Sequence, residues 1–199
     1  MTPSSKPKFW LPGILKRIWA NQDASQIVEF ALSLPVLVLF AVGIFDFSGA
    51  ISLKQKLTNA AREGARVAAS DPANDLGGTA LVAPASVADA LYVVDNYLVS
   101  EKINDCGLVA ATPPTPIKSK LTWTYTSTGT CPGSGITLAI NRGCVVQQPI
   151  NTTTVNLIET CVTIQYPYQW QYGSFAGLVG GSFAGPTTIT AQAAAFNEN

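Results

Sequence analysis

A single carboxylate, Glu29, stands at the edge of a long apolar stretch, and it is the residue of this chain with the clearest chemical consequence. The segment from Phe30 to Phe45 contains no charged residue. An unpaired carboxylate drawn into a bilayer costs about 2.5 to 3.5 kcal/mol, and the cost depends strongly on depth. Glu29 is therefore predicted either to meet a positive partner or to snorkel to the headgroups near the start of the helix.

Four cysteines supply the second kind of chemistry, and all of them follow the apolar stretch. Their spacing is too wide for the CxxC pattern of zinc or thioredoxin sites, and their even number predicts two disulfides in an oxidising compartment, with free thiols as the alternative. The part of the chain that carries them is then outside the cytoplasm. Three pairings exist; we favour Cys106–Cys131 and Cys144–Cys161, the second because it spans a plausible hairpin.

The sequence offers little to an enzyme. It contains no histidine, which removes the commonest general base and metal ligand. Carboxylates are present in the C-terminal part, but their spacing brings no two together; they are Asp89, Asp95, Glu101, Asp105 and Glu159. We therefore predict no catalytic activity, no metal and no cofactor. The equal numbers of basic and acidic residues, 12 of each, also give no basic field for nucleic acid.

The element that positions Glu29 is predicted to be a membrane helix. Only 12% of the residues are charged, against about 25% in soluble proteins. If Asp46 lies in the far headgroup layer, the apolar segment reaches Leu53 and spans about 36 Å, enough for a hydrocarbon core of about 30 Å. Asp46 itself is predicted to be interfacial, or else a partner for Lys54 or for a neighbouring chain. The apolar run is longer than that of a cleaved signal peptide, which favours a retained anchor.

This helix is predicted to begin near Ala24, with Asp23 as its cap and Gln26 as the reciprocal partner, and to end before Asp71-Pro72. Pro35 lies inside it and must bend or loosen it. Its second half carries a small-residue stripe, which suits close packing either against the chain's own domain or between subunits. The stripe consists of Ala60, Gly64 and Ala68, with Ala61, Ala65 and Ala69 beside them.

The remaining chain is predicted to form an α+β head with an antiparallel sheet. A Gly-rich linker over 74–83 precedes a second amphipathic helix over 86–99. Strands are expected at 121–126, 136–140, 154–165 and 187–196. A Gly- and aromatic-rich loop over 166–186 either covers the sheet or touches the membrane or partner subunits. The predicted organisation is a leader (1–24), a transmembrane helix (25–53), its extramembrane continuation (54–72) and the head (73–199).

Three stretches together resemble the TadE-like pseudopilins of the bacterial tight-adherence (Tad/Flp) pilus machinery, which include the related TadF-like branch. These stretches are Ser25-Gln26-Ile27-Val28-Glu29-Phe30, Leu34-Pro35, and Asn59-Ala60-Ala61-Arg62-Glu63-Gly64-Ala65-Arg66. The resemblance covers about the first 70 residues and implies a pilin-like protein. It also implies that a prepilin peptidase cuts between Ala24 and Ser25, which leaves Glu29 as the fifth residue. Glycine is usual before the cut, where this chain has Ala24.

By this resemblance the protein is a minor pseudopilin of a Tad-type, type IVb-like pilus or secretion apparatus. Its partners would be the peptidase, sibling subunits, the inner-membrane assembly platform and the bilayer. The N-terminus would face the cytoplasm and the head would lie beyond the bacterial inner membrane, with incorporation in a surface pilus as one destination. Assembly would use Glu29, Pro35 and the small-residue stripe. The alternative is an uncleaved single-pass protein whose disulfide-stapled head binds a ligand.

Overall fold

The computed structural model describes residues 22–77, 82–109, 115–131, 133, 135–150, 153–171 and 187–197. The chain divides into two units, 1–45 and 46–199, the second of which is the folded head. Most of the predicted leader and the loop residues 172–186 lie outside the described residues.

The first helix, α1, spans Gln22–Ser70 and includes Pro35. It ends where the Asp71-Pro72 step predicted. It begins two residues earlier than expected, so the prediction of Asp23 as the cap was wrong. Glutamine is a good helix former, and Gln22 is taken into the first turn, so Asp23 lies inside the helix and not at the cap position.

A short 3₁₀ helix, Ala73–Gly77, follows α1, and the second α-helix, α2, spans Ala85–Ser100. The α2 bounds confirm the helix expected over 86–99. The Ser86 backbone N–H donates to the Asp75 Oδ2 carboxylate oxygen at 3.1 Å, which ties the 3₁₀ turn to the start of α2. The apolar residues of α2 are buried at the predicted helical spacing; they are Val87, Leu91, Val94 and Leu98.

Five antiparallel strands form one sheet within the described residues, and each strand pairs with its neighbour in sequence. The strands are β1 (Ile117–Ser119), β2 (Thr122–Ser127), β3 (Ile136–Ile150), β4 (Thr153–Pro167) and β5 (Thr188–Phe196). The predicted α+β class, with a long N-terminal apolar helix, a second helix and an antiparallel sheet, is confirmed. The short strand β1 was not expected from the sequence.

The expected strand over 136–140 was too short, because β3 continues to Ile150 and pairs with β4 along its whole length. A bulge lies between Asn141 and Cys144. Such a bulge adds a residue to one strand and interrupts the regular alternation of side chains, and the proline at 149 weakens the strand pattern further. Beyond Cys144, the two strands pair only with each other among the described strands.

The hydrophobic core lies between the two helices and one face of the sheet. Its members include Leu57 of α1, Val94 of α2 and Trp123, Leu138 and Ile164 of the sheet, all fully buried. In β2 the buried residues alternate with partly exposed ones, as expected for an antiparallel sheet with one covered face.

Candidate assembly helix

The first part of α1 is an apolar surface. Between Gln26 and Phe45 no described side chain is buried, and Leu32 is 79% exposed. Glu29 is the sole charged residue of this stretch and is also exposed. Within the described residues α1 is the one helix long and apolar enough to cross a membrane, with a mean hydropathy of 2.4 over its most apolar window. An exposed apolar surface of this length is unfavourable in water and favourable in lipid.

Pro35 interrupts the backbone hydrogen bonds of this segment without ending the helix. Because proline lacks an N–H, the carbonyl of Ala31, four residues earlier, loses its helical donor. The nearby Ser33 hydroxyl donates to the carbonyl oxygen of Phe30 at 3.1 Å, and so does not replace that bond. Ala24 and Ser25 lie in the first turn of α1, where cleavage between them stays a prediction.

The small-residue stripe is packed inside the head. Ala60 and Ala68 have no exposed surface, and Gly64 is buried. A Cβ added to Gly64 would lie 2.6 Å from Val94 Cγ2 and 3.5 Å from the Ala90 carbonyl oxygen, both on α2. The structure therefore uses the stripe to bring α1 close to α2. The surface of the stripe at Gly64 is thus occupied within the chain, and a role of Ala60, Gly64 and Ala68 in assembly stays a prediction.

Asp46, the first residue of the head unit, is held by residues far along the chain. Its side chain is 8% exposed, and its Oδ1 oxygen accepts the Gln171 backbone N–H at 3.1 Å. The Tyr168 hydroxyl donates to the Asp46 carbonyl oxygen at 3.3 Å. Burial, together with the nearby Asp46 carboxylate, raises the pKa of Tyr168. The segment after β4 thus supplies hydrogen-bond partners for Asp46, and the interfacial position of Asp46 stays a prediction.

Two further contacts join the second half of α1 to the head. Lys56 Nζ lies 3.0 Å from a carboxylate oxygen of Glu101, at the end of α2. The guanidinium of Arg142, which is 2% exposed, donates from Nη2 to the Asp71 carbonyl oxygen at 2.8 Å and from Nη1 to the Thr160 hydroxyl at 3.4 Å. Arg142 thus satisfies a carbonyl just beyond the end of α1, which otherwise has no helical donor.

Two disulfides link the four cysteines, Cys106–Cys131 and Cys144–Cys161, in the pairing favoured from the sequence. The second closes the β3–β4 hairpin at its bulge. Asn104 organises the surroundings of the first: its carbonyl oxygen accepts the Tyr166 hydroxyl at 2.9 Å, and its side-chain oxygen accepts the Cys106 backbone N–H at 2.9 Å.

Sequence reasoning missed one meeting of acidic residues. Asp95 on α2 lies close to Asp105, and burial, followed by the charge of Asp105, raises the pKa of Asp95 to about 6. Asp95 is 9% exposed, so a substrate would not reach it freely. The ten-residue separation has no helical or strand periodicity that would have indicated the pair. The Asp95–Asp105 pair joins the end of α2 to the turn that contains Cys106.

The described residues form an α+β fold whose first helix is long and apolar enough to cross a membrane. Residues 24–66 match the family model described as TadE-like protein, which confirms the resemblance over that part of the chain. The matched range includes Glu29 and Gly64 and covers less than half of the chain. No curated protein and no solved structure matches the chain.

Proposed function

We propose that this chain is a minor pseudopilin, a pilus-assembly subunit of a Tad-type apparatus that is processed by a prepilin peptidase between Ala24 and Ser25. The observation that carries the proposal is the match over 24–66 to the TadE-like family, on a helix whose apolar surface from Gln26 to Phe45 is fully available. Its function is assembly within the membrane, with the head on the extracytoplasmic side.

Glu29 has a specific role in this proposal. After cleavage, the Ser25 amine of a neighbouring subunit becomes a cation, since an α-amino group has a pKa of about 7.7 to 8.0. Pairing with this amine offsets the cost of placing the Glu29 carboxylate in lipid. The pair would also fix the axial position of one helix against the next. Glu29 and the exposed apolar stretch are then the assembly surface, and the small-residue stripe supports it only by holding the head to α1.

The protein's N-terminal sequence, determined after membrane extraction from cells with and without a prepilin peptidase, tests the proposal. A chain that begins at Ser25 only when the peptidase is present supports it. Ala24→Leu should block the cut because the site needs a small residue, while Ala20→Leu, the same change four residues upstream, should leave it intact. Glu29→Gln should be cleaved normally and fail to assemble.

The second candidate is an uncleaved, membrane-anchored binding protein. It is favoured by Ala24, which stands where glycine is usual, and by the burial of the stripe inside the head. In that case the chain begins at Met1 or Thr2 in both strains, and Glu29→Gln has no effect on its behaviour. These outcomes would overturn the pseudopilin proposal.

A further inference from the structure

Three aromatic side chains meet at the start of the head unit. Phe47 comes from α1, and Tyr168 and Trp170 come from the segment that follows β4; we call these three residues the aromatic cluster. The rings of Phe47 and Trp170 have centroids 5.5 Å apart, and those of Tyr168 and Trp170 are 5.1 Å apart, both in edge-to-face contact. Phe47 is 54% exposed, and the other two are half-buried. The cluster therefore presents aromatic surface outward and is not part of the core.

Hydrogen bonds hold the segment after β4 in place under these rings. The Gln171 backbone N–H and the Tyr168 hydroxyl both donate to Asp46, as described above. The Tyr168 backbone N–H donates to the carbonyl oxygen of Thr187, the residue before β5, at 2.8 Å. A Cβ added to Gly49 would lie 3.4 Å from the Tyr168 hydroxyl, which places the end of this side chain beside α1. These contacts hold the aromatic cluster in a defined position beside one turn of α1.

The position of the aromatic cluster along the sequence places it at one end of the apolar stretch. Phe47 lies two residues beyond Phe45, the last residue of the uncharged stretch. Glu29 and Asp46, the two carboxylates that bracket the uncharged segment, are 17 residues apart in sequence, or about 26 Å along a helix, close to the thickness of a hydrocarbon core. Tryptophan and tyrosine concentrate at the headgroup level, where an apolar ring with a polar atom is favoured. The segment 168–171 carries only aromatic and glutamine side chains, without a charge.

We propose that Phe47, Tyr168 and Trp170 form an interfacial anchor that inserts in the phospholipid headgroup layer and seats the head on the bilayer surface. The inference rests on the part of the proposed function in which the stretch from Gln26 to Phe45 spans the membrane. It adds a second attachment, made by the head itself and joined to α1 through Asp46. The membrane span then ends close to Asp46, earlier than the predicted end at residue 53.

Lipid quenching of tryptophan fluorescence tests the anchor in the full chain, reconstituted in phosphatidylcholine vesicles. Trp10 and Trp19 are first replaced by phenylalanine, which leaves Trp123 and Trp170 as emitters. Trp123 has no exposed surface and is the internal reference. Lipids with a quencher near the headgroup should reduce the emission more than lipids with a quencher deep in the acyl chain. Trp170→Phe should abolish this difference.

Two results separate the anchor from the membrane span. Resistance of the vesicle-bound protein to alkaline carbonate extraction reports the span alone. If the protein resists extraction but the emission of Trp170 is reduced only by an aqueous quencher, the membrane span is supported and the anchor is overturned. If the protein is extracted, the span itself is overturned. Asp46→Ala should weaken the lipid quenching of Trp170, while Asp46→Asn, which keeps an acceptor oxygen, should preserve it.

Discussion

Replacement of Gly64 by alanine tests whether the second half of α1 packs against its own head. In an exposed helix this change is stabilising by about 0.5 to 1 kcal/mol, because glycine loses more backbone entropy on folding. Here the new methyl group would lie 2.6 Å from Val94 Cγ2, well inside the normal carbon–carbon contact of about 3.5 to 4.0 Å. Val94 is fully buried, and its branched side chain has little rotamer freedom with which to move away.

The two effects have opposite signs, and the steric one is larger. Overpacking in a filled core costs about 1 to 3 kcal/mol, so Gly64→Ala should reduce the free energy of unfolding by about 0.5 to 2 kcal/mol after the helix gain is subtracted. For a chain of this size each kcal/mol lowers the thermal midpoint by about 2 to 4 °C. Thermal unfolding of the detergent-solubilised full chain, followed by near-ultraviolet circular dichroism, measures this shift.

A matched control and a double variant complete the test. Gly43 lies in the same helix with no atom within 4 Å of an added Cβ, so Gly43→Ala should not lower the midpoint. In a Val94→Ala background the clash is removed, and Gly64→Ala should then be neutral or stabilising, which gives a coupling of about 0.5 to 3 kcal/mol. An unchanged or raised midpoint for Gly64→Ala alone would refute the packing of α1 on α2 and return the stripe to a contact between subunits.

Two further predictions concern the head. The pKa of Asp95 is raised from 3.8 to about 6 in the folded state. Its contribution to stability is therefore complete below pH 3.8 and is lost as the pH rises through 6. Asp95→Asn should remove this part of the pH dependence of the thermal midpoint, whereas replacement of the exposed Asp89 by asparagine should retain it. Replacing Cys144 and Cys161 by serine removes a bridge between residues 17 apart and should cost about 2 to 4 kcal/mol in urea unfolding; an unchanged midpoint would show that strand pairing alone holds the hairpin.

Local patterns predicted the elements of this fold well, and long-range contacts escaped them. The end of α1 follows from Asp71-Pro72, and the span of α2 follows from its apolar spacing, because both signals are contained within a few residues. The full length of β3 was hidden by its bulge. The fate of Asp46 was not predictable, since its partner Gln171 is 125 residues away in sequence and no local pattern encodes such a meeting.

The residues of the candidate site were likewise predictable where the signal is local and not where it depends on a distant contact. Glu29 and the apolar stretch were identified because a lone carboxylate beside a long uncharged run is visible in sequence alone. The stripe was recognised as a close-packing surface, but its partner was not, because small residues suit an intrachain and an intersubunit contact equally well. Asp95 and Asp105 meet only because α2 ends and the chain turns back between them, a geometry that composition and spacing do not encode.

The order of strands in the sheet has a consequence for folding during synthesis. In a meander each strand pairs with the one made just before it, so the sheet can grow as the chain is made. The first helix, by contrast, is made early and receives its partners late: Arg142 reaches Asp71 across 71 residues, and Gln171 reaches Asp46 across 125. Until β4 and the segment after it have been made, the small-residue stripe of α1 lacks part of the surface that buries it. A chain truncated before that point would leave this surface exposed, so incomplete copies should be digested by proteases faster than complete ones.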